Sequence, residues 1–198
     1  MKKLREYQFE ASEFQWEIAP GKSVAAWGFN GQVPGPTIKA QKGDTLVLKL
    51  KNNLSEPTIL HWHGIRLPAA MDGTSEVQTP IQPGEEFEYR FELPDAGTFW
   101  YHSHHNETVQ MERGMYGAII VEGEADPVVD AEKVFMIDDM KLTANYTFTN
   151  PSWVLPRLIE KHDGRQGDTL LINGKVDPAV NIHAGQMERW RFINSSSA

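Results

Sequence analysis

Four of the seven histidines stand in two short pairs. His61 and His63 flank Trp62 in Leu60-His61-Trp62-His63-Gly64, and His102 and His104 flank Ser103 in Trp100-Tyr101-His102-Ser103-His104. Both pairs follow β-prone residues, Thr58-Ile59 and Thr98-Phe99. In a strand, residues i and i+2 point to one face about 6.6 Å apart, so each pair presents two imidazoles side by side. If the two strands are neighbours, four rings converge on one pocket. Four half-solvated rings share a dry pocket cheaply only when something takes their lone pairs. A metal ion does that, and imidazole is its commonest protein ligand. Ligand type alone does not choose between copper, zinc, iron and nickel. A single His-x-His is an ordinary surface feature, but two such pairs in aromatic β contexts, each ending at a loop, point to a metal centre. Trp62 and the run Phe99-Trp100-Tyr101 read as the apolar wall around it.

The rest of the composition narrows the chemistry. No cysteine is present, which excludes disulfides, thiolate nucleophiles, iron–sulfur ligation and a blue-copper centre within this chain. A formal net charge of −8 argues against general affinity for nucleic acid or anionic membranes. No apolar run approaches the length that spans a bilayer. Met1-Lys2-Lys3-Leu4-Arg5 is basic but has no apolar segment behind it, so no intact signal peptide is expected.

These histidines need rigid elements to hold them, and the surrounding pattern is that of β-sheet. Tyr7, Phe9 and Ala11 alternate with polar residues, as do Phe14, Trp16 and Ile18, before a turn at Pro20-Gly21. Leu46, Leu48 and Leu50 repeat the pattern, as do Phe87, Tyr89 and Phe91, and Ala118-Ile119-Ile120-Val121 suits a strand covered on both faces. Many short strands punctuated by Gly and Pro predict an all-β sandwich or barrel over residues 1–124. The acidic, Pro-containing stretch from Glu122 to Asp130 opens an interdomain linker and loop assigned to 125–166, with a strand expected at Lys133–Asp138. Residues 140–168 show no period and read as a long loop.

An internal repeat sets the domain count. Asn30-Gly31-Gln32-Val33-Pro34 matches Asn173-Gly174-Lys175-Val176-Asp177, and with one deletion Pro36, Ile38, Gly43 and Asn52 align with Pro178, Val180, Gly185 and Asn194. A second domain of the same kind is therefore expected over 167–198, stopping after its opening strands. A lone hairpin of this sort is marginal in water, so the chain reads as truncated.

The motifs then resemble those of a known family. His61-Trp62-His63-Gly64, followed by Trp100-Tyr101-His102-Ser103-His104 and Gly114-Met115-Tyr116-Gly117, resembles the first two copper-binding motifs of multicopper oxidases, the family of laccases, ascorbate oxidases and bacterial cuprous oxidases. Phe29-Asn30-Gly31-Gln32-Val33-Pro34-Gly35-Pro36 is similar to the opening of their first domain. The resemblance implies a cupredoxin-like Greek-key β-sandwich followed by the beginning of a second. It implies that His61 binds a type 2 copper, that His63 and His102 share one type 3 copper, and that His104 binds the other. Asp72, inside Met71-Asp72-Gly73, stands where the family carries an acid that supplies protons to reduced oxygen; an Asp-Gly turn accounts for it equally well. His105, His162 and His183 match no motif.

The resemblance further implies an enzyme that oxidises phenols, amines or metal ions such as Cu(I) by one electron and reduces O2 to water. The remaining cluster ligands and the type 1 copper would come from other domains of the same protein, and this chain alone is expected to be inactive. A nitrite reductase fits less well, because that family has a type 1 site in its first domain; a three-domain oxidase fits better than a two-domain one. Family members are periplasmic or secreted. Two other classes compete: a copper-binding or copper-buffering module without turnover, and a structural domain that has lost its metal. The seven methionines are scattered and form no soft-ligand tract, which gives the buffering class little support.

Overall fold

The computed structural model describes residues 2–143, 148 and 167–196. Eight strands build the first unit: β1 (Leu4–Ala19), β2 (Lys22–Phe29), β3 (Gly35–Gln41), β4 (Thr45–Asn52), β5 (Leu60–His63), β6 (Glu86–Glu92), β7 (Gly97–Ser103) and β8 (Tyr116–Glu122). A 3-10 turn covers Ala69–Met71, and a short helix, α1 (Glu107–Glu112), follows β7. The strands form two sheets, in the orders β2-β1-β4-β6 and β3-β8-β7-β5. Each sheet mixes one parallel pair, β1 with β4 or β3 with β8, with antiparallel neighbours.

The core between the sheets follows from the period-2 pattern. Phe9, Ala11, Leu46, Leu48, Leu50, Tyr89 and Phe91 from one sheet meet Ile38, Leu60, Trp62, Tyr101, Ile119 and Val121 from the other. Each large side chain buried this way contributes roughly 1.5–3 kcal/mol. The two hydrophobic sets in β1 lie out of phase, odd positions at Phe9 and Ala11 and even positions at Trp16 and Ile18. One continuous strand therefore serves two cores: its first half faces the sandwich interior, and its second half turns Trp16 and Ile18 to the opposite face. β2 does the same, with Trp27 and Phe29 inside and Val24 and Ala26 outside.

The second core is closed by β9 (Ala131–Met140), β10 (Thr169–Ile172) and β11 (Glu188–Asn194), a sheet with β9 in the middle. Met136, Met140, Leu171 and Ile193 pack against Trp16, Ile18, Val24, Ala26, Tyr116 and Ala118. The strand expected at Lys133–Asp138 is present within β9, which pairs antiparallel with β10 and parallel with β11, as β1 pairs with β2 and β4. The repeat extends to side chains. Asn30, at φ 55°, takes the Glu10 N–H on Oδ1 at 2.7 Å and donates Nδ2 to the Gln8 carbonyl at 3.0 Å. Asn173, at φ 49°, does the same with the Met136 N–H at 2.8 Å and the Val134 carbonyl at 2.9 Å. Most of the loop expected at 140–168, with His162, lies outside the described residues.

The all-β class expected from the sequence is the one observed, a two-sheet sandwich followed by the opening strands of a second unit. No helix among the described residues is long and apolar enough to cross a membrane.

Candidate metal centre

β5 and β7 are adjacent and antiparallel, and their register puts His61 opposite His102 and His63 opposite Trp100. Residues paired in this way share a face. Leu60, Trp62 and Tyr101 enter the sandwich core, where the Trp62 ring sits edge-on to Tyr89 at 5.3 Å and to Phe91 at 4.9 Å. Alternation then drives His61, His63, Trp100 and His102 to the other face. The wall expected from the aromatic residues is accordingly reduced to one: Trp100 stacks on His63 at 4.9 Å and on His102 at 4.5 Å, while Trp62 and Tyr101 face away.

The four imidazoles meet. Ring centroids lie 5.3 Å apart for His61–His102, 5.2 Å for His61–His104, 5.6 Å for His63–His102 and 6.0 Å for His102–His104. One ring nitrogen from each of His61, His63 and His102 falls within 4.8 Å of the others. The tightest approach is His63 Nδ1 to His102 Nε2 at 3.4 Å. Two nitrogens about 2.0–2.1 Å from a shared ion, at a near-tetrahedral angle, stand about 3.4 Å apart.

Hydrogen bonds fix which nitrogen His61 and His102 offer. His61 Nδ1–H donates to the Asp72 carbonyl at 2.6 Å, and His102 Nδ1–H donates to the Ser103 carbonyl at 2.9 Å. Both bonds leave Nε2 with its lone pair, the arrangement that outer-shell carbonyls impose on metal-binding histidines. Burial pushes the His102 pKa down to about 4, helped by the neighbouring His61, His63 and His104 against the Ser103 bond. Burial, then His61, lowers His63 as well. Both rings are thus neutral near pH 7, the state a metal ligand requires. His63 is exposed and the His104 side chain keeps 36% of its surface, so the face has room for more ligands.

Asp72 reaches the cluster chiefly through its backbone. It caps the 3-10 turn, and its Oδ1 stands 3.5 Å from His61 Nδ1, farther than its own carbonyl. Gly73 allows this approach: at φ +75° it presses on the Leu60 carbonyl, which a Cβ would meet at 1.8 Å. Sequence reasoning missed Glu107, at the start of α1, whose carboxylate lies 3.6 Å from His102 Nδ1 and 3.9 Å from His104 Nε2. Its only sequence signal was an acid just after the second histidine pair. His105 is half-buried and belongs to none of the ring contacts of the cluster, and His183 is exposed.

A two-sheet sandwich that gathers imidazoles of β5 and β7 on one outer face defines a β-sandwich protein with a candidate metal centre. The comparisons with known proteins name the family. The family model for multicopper oxidases matches residues 10–126. The "Multicopper oxidase mco" of Staphylococcus aureus is 35% identical over 210 residues, covering 98% of this chain and 43% of that protein. "Copper resistance protein A" of Escherichia coli is 40% identical over 146 residues, covering 72% of this chain and 23% of that protein. The crystal structure of a multi-copper oxidase from Pseudomonas thermotolerans superposes with a TM-score of 0.91 at 35% identity, covering 99% of this chain and 47% of that one. The chain belongs to the multicopper oxidase family, a family of copper proteins. It spans less than half the length of these relatives.

Proposed function

We propose that this chain supplies half of the histidines of a trinuclear copper cluster in an oxidase. The whole protein would couple one-electron oxidation of phenols, amines or metal ions such as Cu(I) to reduction of O2 to water. The observation that carries this reading is the 3.4 Å approach of His63 Nδ1 to His102 Nε2 inside a group of four converging rings. Neutral imidazole is a donor that suits copper. His63 and His102 would share one type 3 ion, His104 would bind the other, and His61 the type 2 ion.

When bound, the coppers supply the electrons that oxygen takes up. This chain's residues orient and shield its half of the cluster. The Asp72 and Ser103 carbonyls hold the rings of His61 and His102 in the tautomer that offers Nε2. Trp100 shields one side of His63 and His102 from water. Asp72, whose Oδ1 is partly exposed and 3.5 Å from His61 Nδ1, would pass protons between solvent and the cleft.

With no cysteine in the sequence, electron entry through a type 1 copper belongs to another part of the protein. We place the second cupredoxin-like unit at β9, from Ala131, since β9 occupies the position of β1 in the repeat. A periplasmic or secreted location fits the likeness to copper resistance proteins. The cysteine-free composition also favours a second reading for the chain taken by itself, a copper-binding module without turnover.

The test is oxidation of a one-electron dye with oxygen uptake, measured on this chain and on a longer polypeptide that joins it to the remaining family domains. Turnover is expected only from the longer protein and is lost there on His102→Ala. Turnover by this chain alone would overturn the reading.

A further inference from the structure

Gln110 is the one buried residue of α1, fully enclosed, and every polar atom of its amide is used. Oε1 accepts the Thr58 hydroxyl at 2.8 Å and the Ser103 hydroxyl at 2.5 Å. Nε2 donates to the Glu56 carboxylate at 2.7 Å and to the Pro57 carbonyl at 2.9 Å. An amide has two donor hydrogens and two acceptor positions, so this one is saturated. Its partners belong to the segment that enters β5 and to the residue between His102 and His104. One side chain therefore ties together the approaches to both histidine pairs.

The four histidines do not depend on this tie equally. His61, His63 and His102 lie within β5 and β7, where the backbone ladder sets their register. His104 lies one residue beyond the end of β7. It is held by a single backbone bond from its N–H to the Ile59 carbonyl at 3.0 Å and by the anchored Ser103 before it. His105 N–H also bonds to Ser103 Oγ, at 3.3 Å, so that hydroxyl organises the chain on both sides of His104. We infer that Gln110, acting through Ser103, is the positioning residue for His104 and sets how tightly the cluster face holds its metal. This rests on the copper reading above.

Removing a partner behind a metal ligand typically weakens metal binding about 10–100-fold. Cu(II) affinity is measured by chelator competition on this chain, on Gln110→Met, which keeps the length and removes the amide, and on Asp44→Asn. Asp44 is buried and bonded to Lys3, Arg5 and Gln41, away from both histidine pairs, and controls for general loss of stability. Gln110→Met is expected to weaken binding by that factor and Asp44→Asn to leave it unchanged. In a His104→Ala background the Gln110→Met effect should vanish. Should Gln110→Met fail to fold, Ser103→Ala, which removes the hydroxyl arm alone, is expected to give the same pattern at smaller size. Unchanged Cu(II) affinity in Gln110→Met, or an equal loss with and without His104, overturns the inference while leaving the copper reading intact. A parent chain that takes up no Cu(II) sinks both.

Discussion

His61 and His102 show how much a single backbone oxygen decides. Each donates Nδ1–H to a carbonyl and so turns Nε2 toward the cleft. The pairing of His61 with His63 on one face was legible in the sequence, because His-x-His within a strand has only one geometry; the adjacency of β5 and β7, which brings the two pairs together, was legible only as a condition. The tautomers were not, since they depend on which carbonyl the fold brings near, and the Asp72 carbonyl arrives from a turn with no local signature. The same alternation that aligned the histidines also sends Trp62 and Tyr101 inward, so the aromatic wall expected around the metal was misread from a rule already in hand. Away from the site, Asp44 is the residue with the clearest single-group stability role. It is buried, and it takes Arg5 Nε at 2.6 Å, the Lys3 N–H at 2.8 Å and the Gln41 N–H at 3.0 Å. Burial raises its pKa, but the Arg5 bond and the two backbone donors outweigh that and hold it at about 2. An unfolded Asp titrates near 3.9, so the stabilisation is full above that pH and is lost as pH falls from about 4 to about 2. Asp44→Ala should cost about 1–3 kcal/mol at pH 7, by the desolvated donors it orphans. In urea unfolding the gap to the parent chain should close across that acid window. A gap independent of pH would contradict this role.

Elements place these residues, and the turns matter as much as the strands. The Asp72-Gly73 turn presses on the strand residue just before His61, a contact only a glycine at φ +75° can make. Gly73→Ala should lose at least about 1–2 kcal/mol from the left-handed conformation alone. For a chain of this size each 1 kcal/mol lowers the thermal midpoint by about 2–4 °C. An unchanged midpoint would show that the turn does not need this geometry. The change of phase in β1 between Ala11 and Phe14 was visible in the sequence as two alternating sets, but its meaning was not. The even set looks like any half-buried strand until β9 is known to cover it. β9 itself was legible as a strand, while its partners β10 and β11 lie far along the chain, so its role was hidden by sequence separation rather than by weak local signal. At that junction the Tyr116 hydroxyl donates to Asp138 Oδ2 at 2.6 Å in a buried pair. Burial pushes the Asp138 carboxyl up to about 7, against the lowering effect of the Tyr116 and Asp139 donors. A carboxyl raised in the folded state costs stability progressively as pH climbs from about 4 to about 7. Asp138→Asn removes that dependence, so its stability relative to the parent chain should improve over this interval in denaturant titrations. A difference that stays flat from pH 4 to pH 7 would refute the burial argument.

Across the whole molecule, one sandwich carries the imidazoles on an outer face while a second, repeated unit packs beside them against β8 and against parts of β1 and β2. Tyr116 and Ala118 pair with His102 and Trp100 across β7 and β8, so the histidine face and the junction face adjoin. The repeat was legible because the Asn-Gly turn demands a left-handed Asn in both copies. The pairing of β9 with β10 and β11 was not, because the sequence between β9 and the repeated motif shows no period. The most direct test of the copper assignment is anomalous diffraction at the copper edge from crystals of this chain soaked in Cu(II). The expected result is a peak about 2.0–2.1 Å from both His63 Nδ1 and His102 Nε2. Copper seated instead at His105 or His183, with nothing between the four rings, would contradict it.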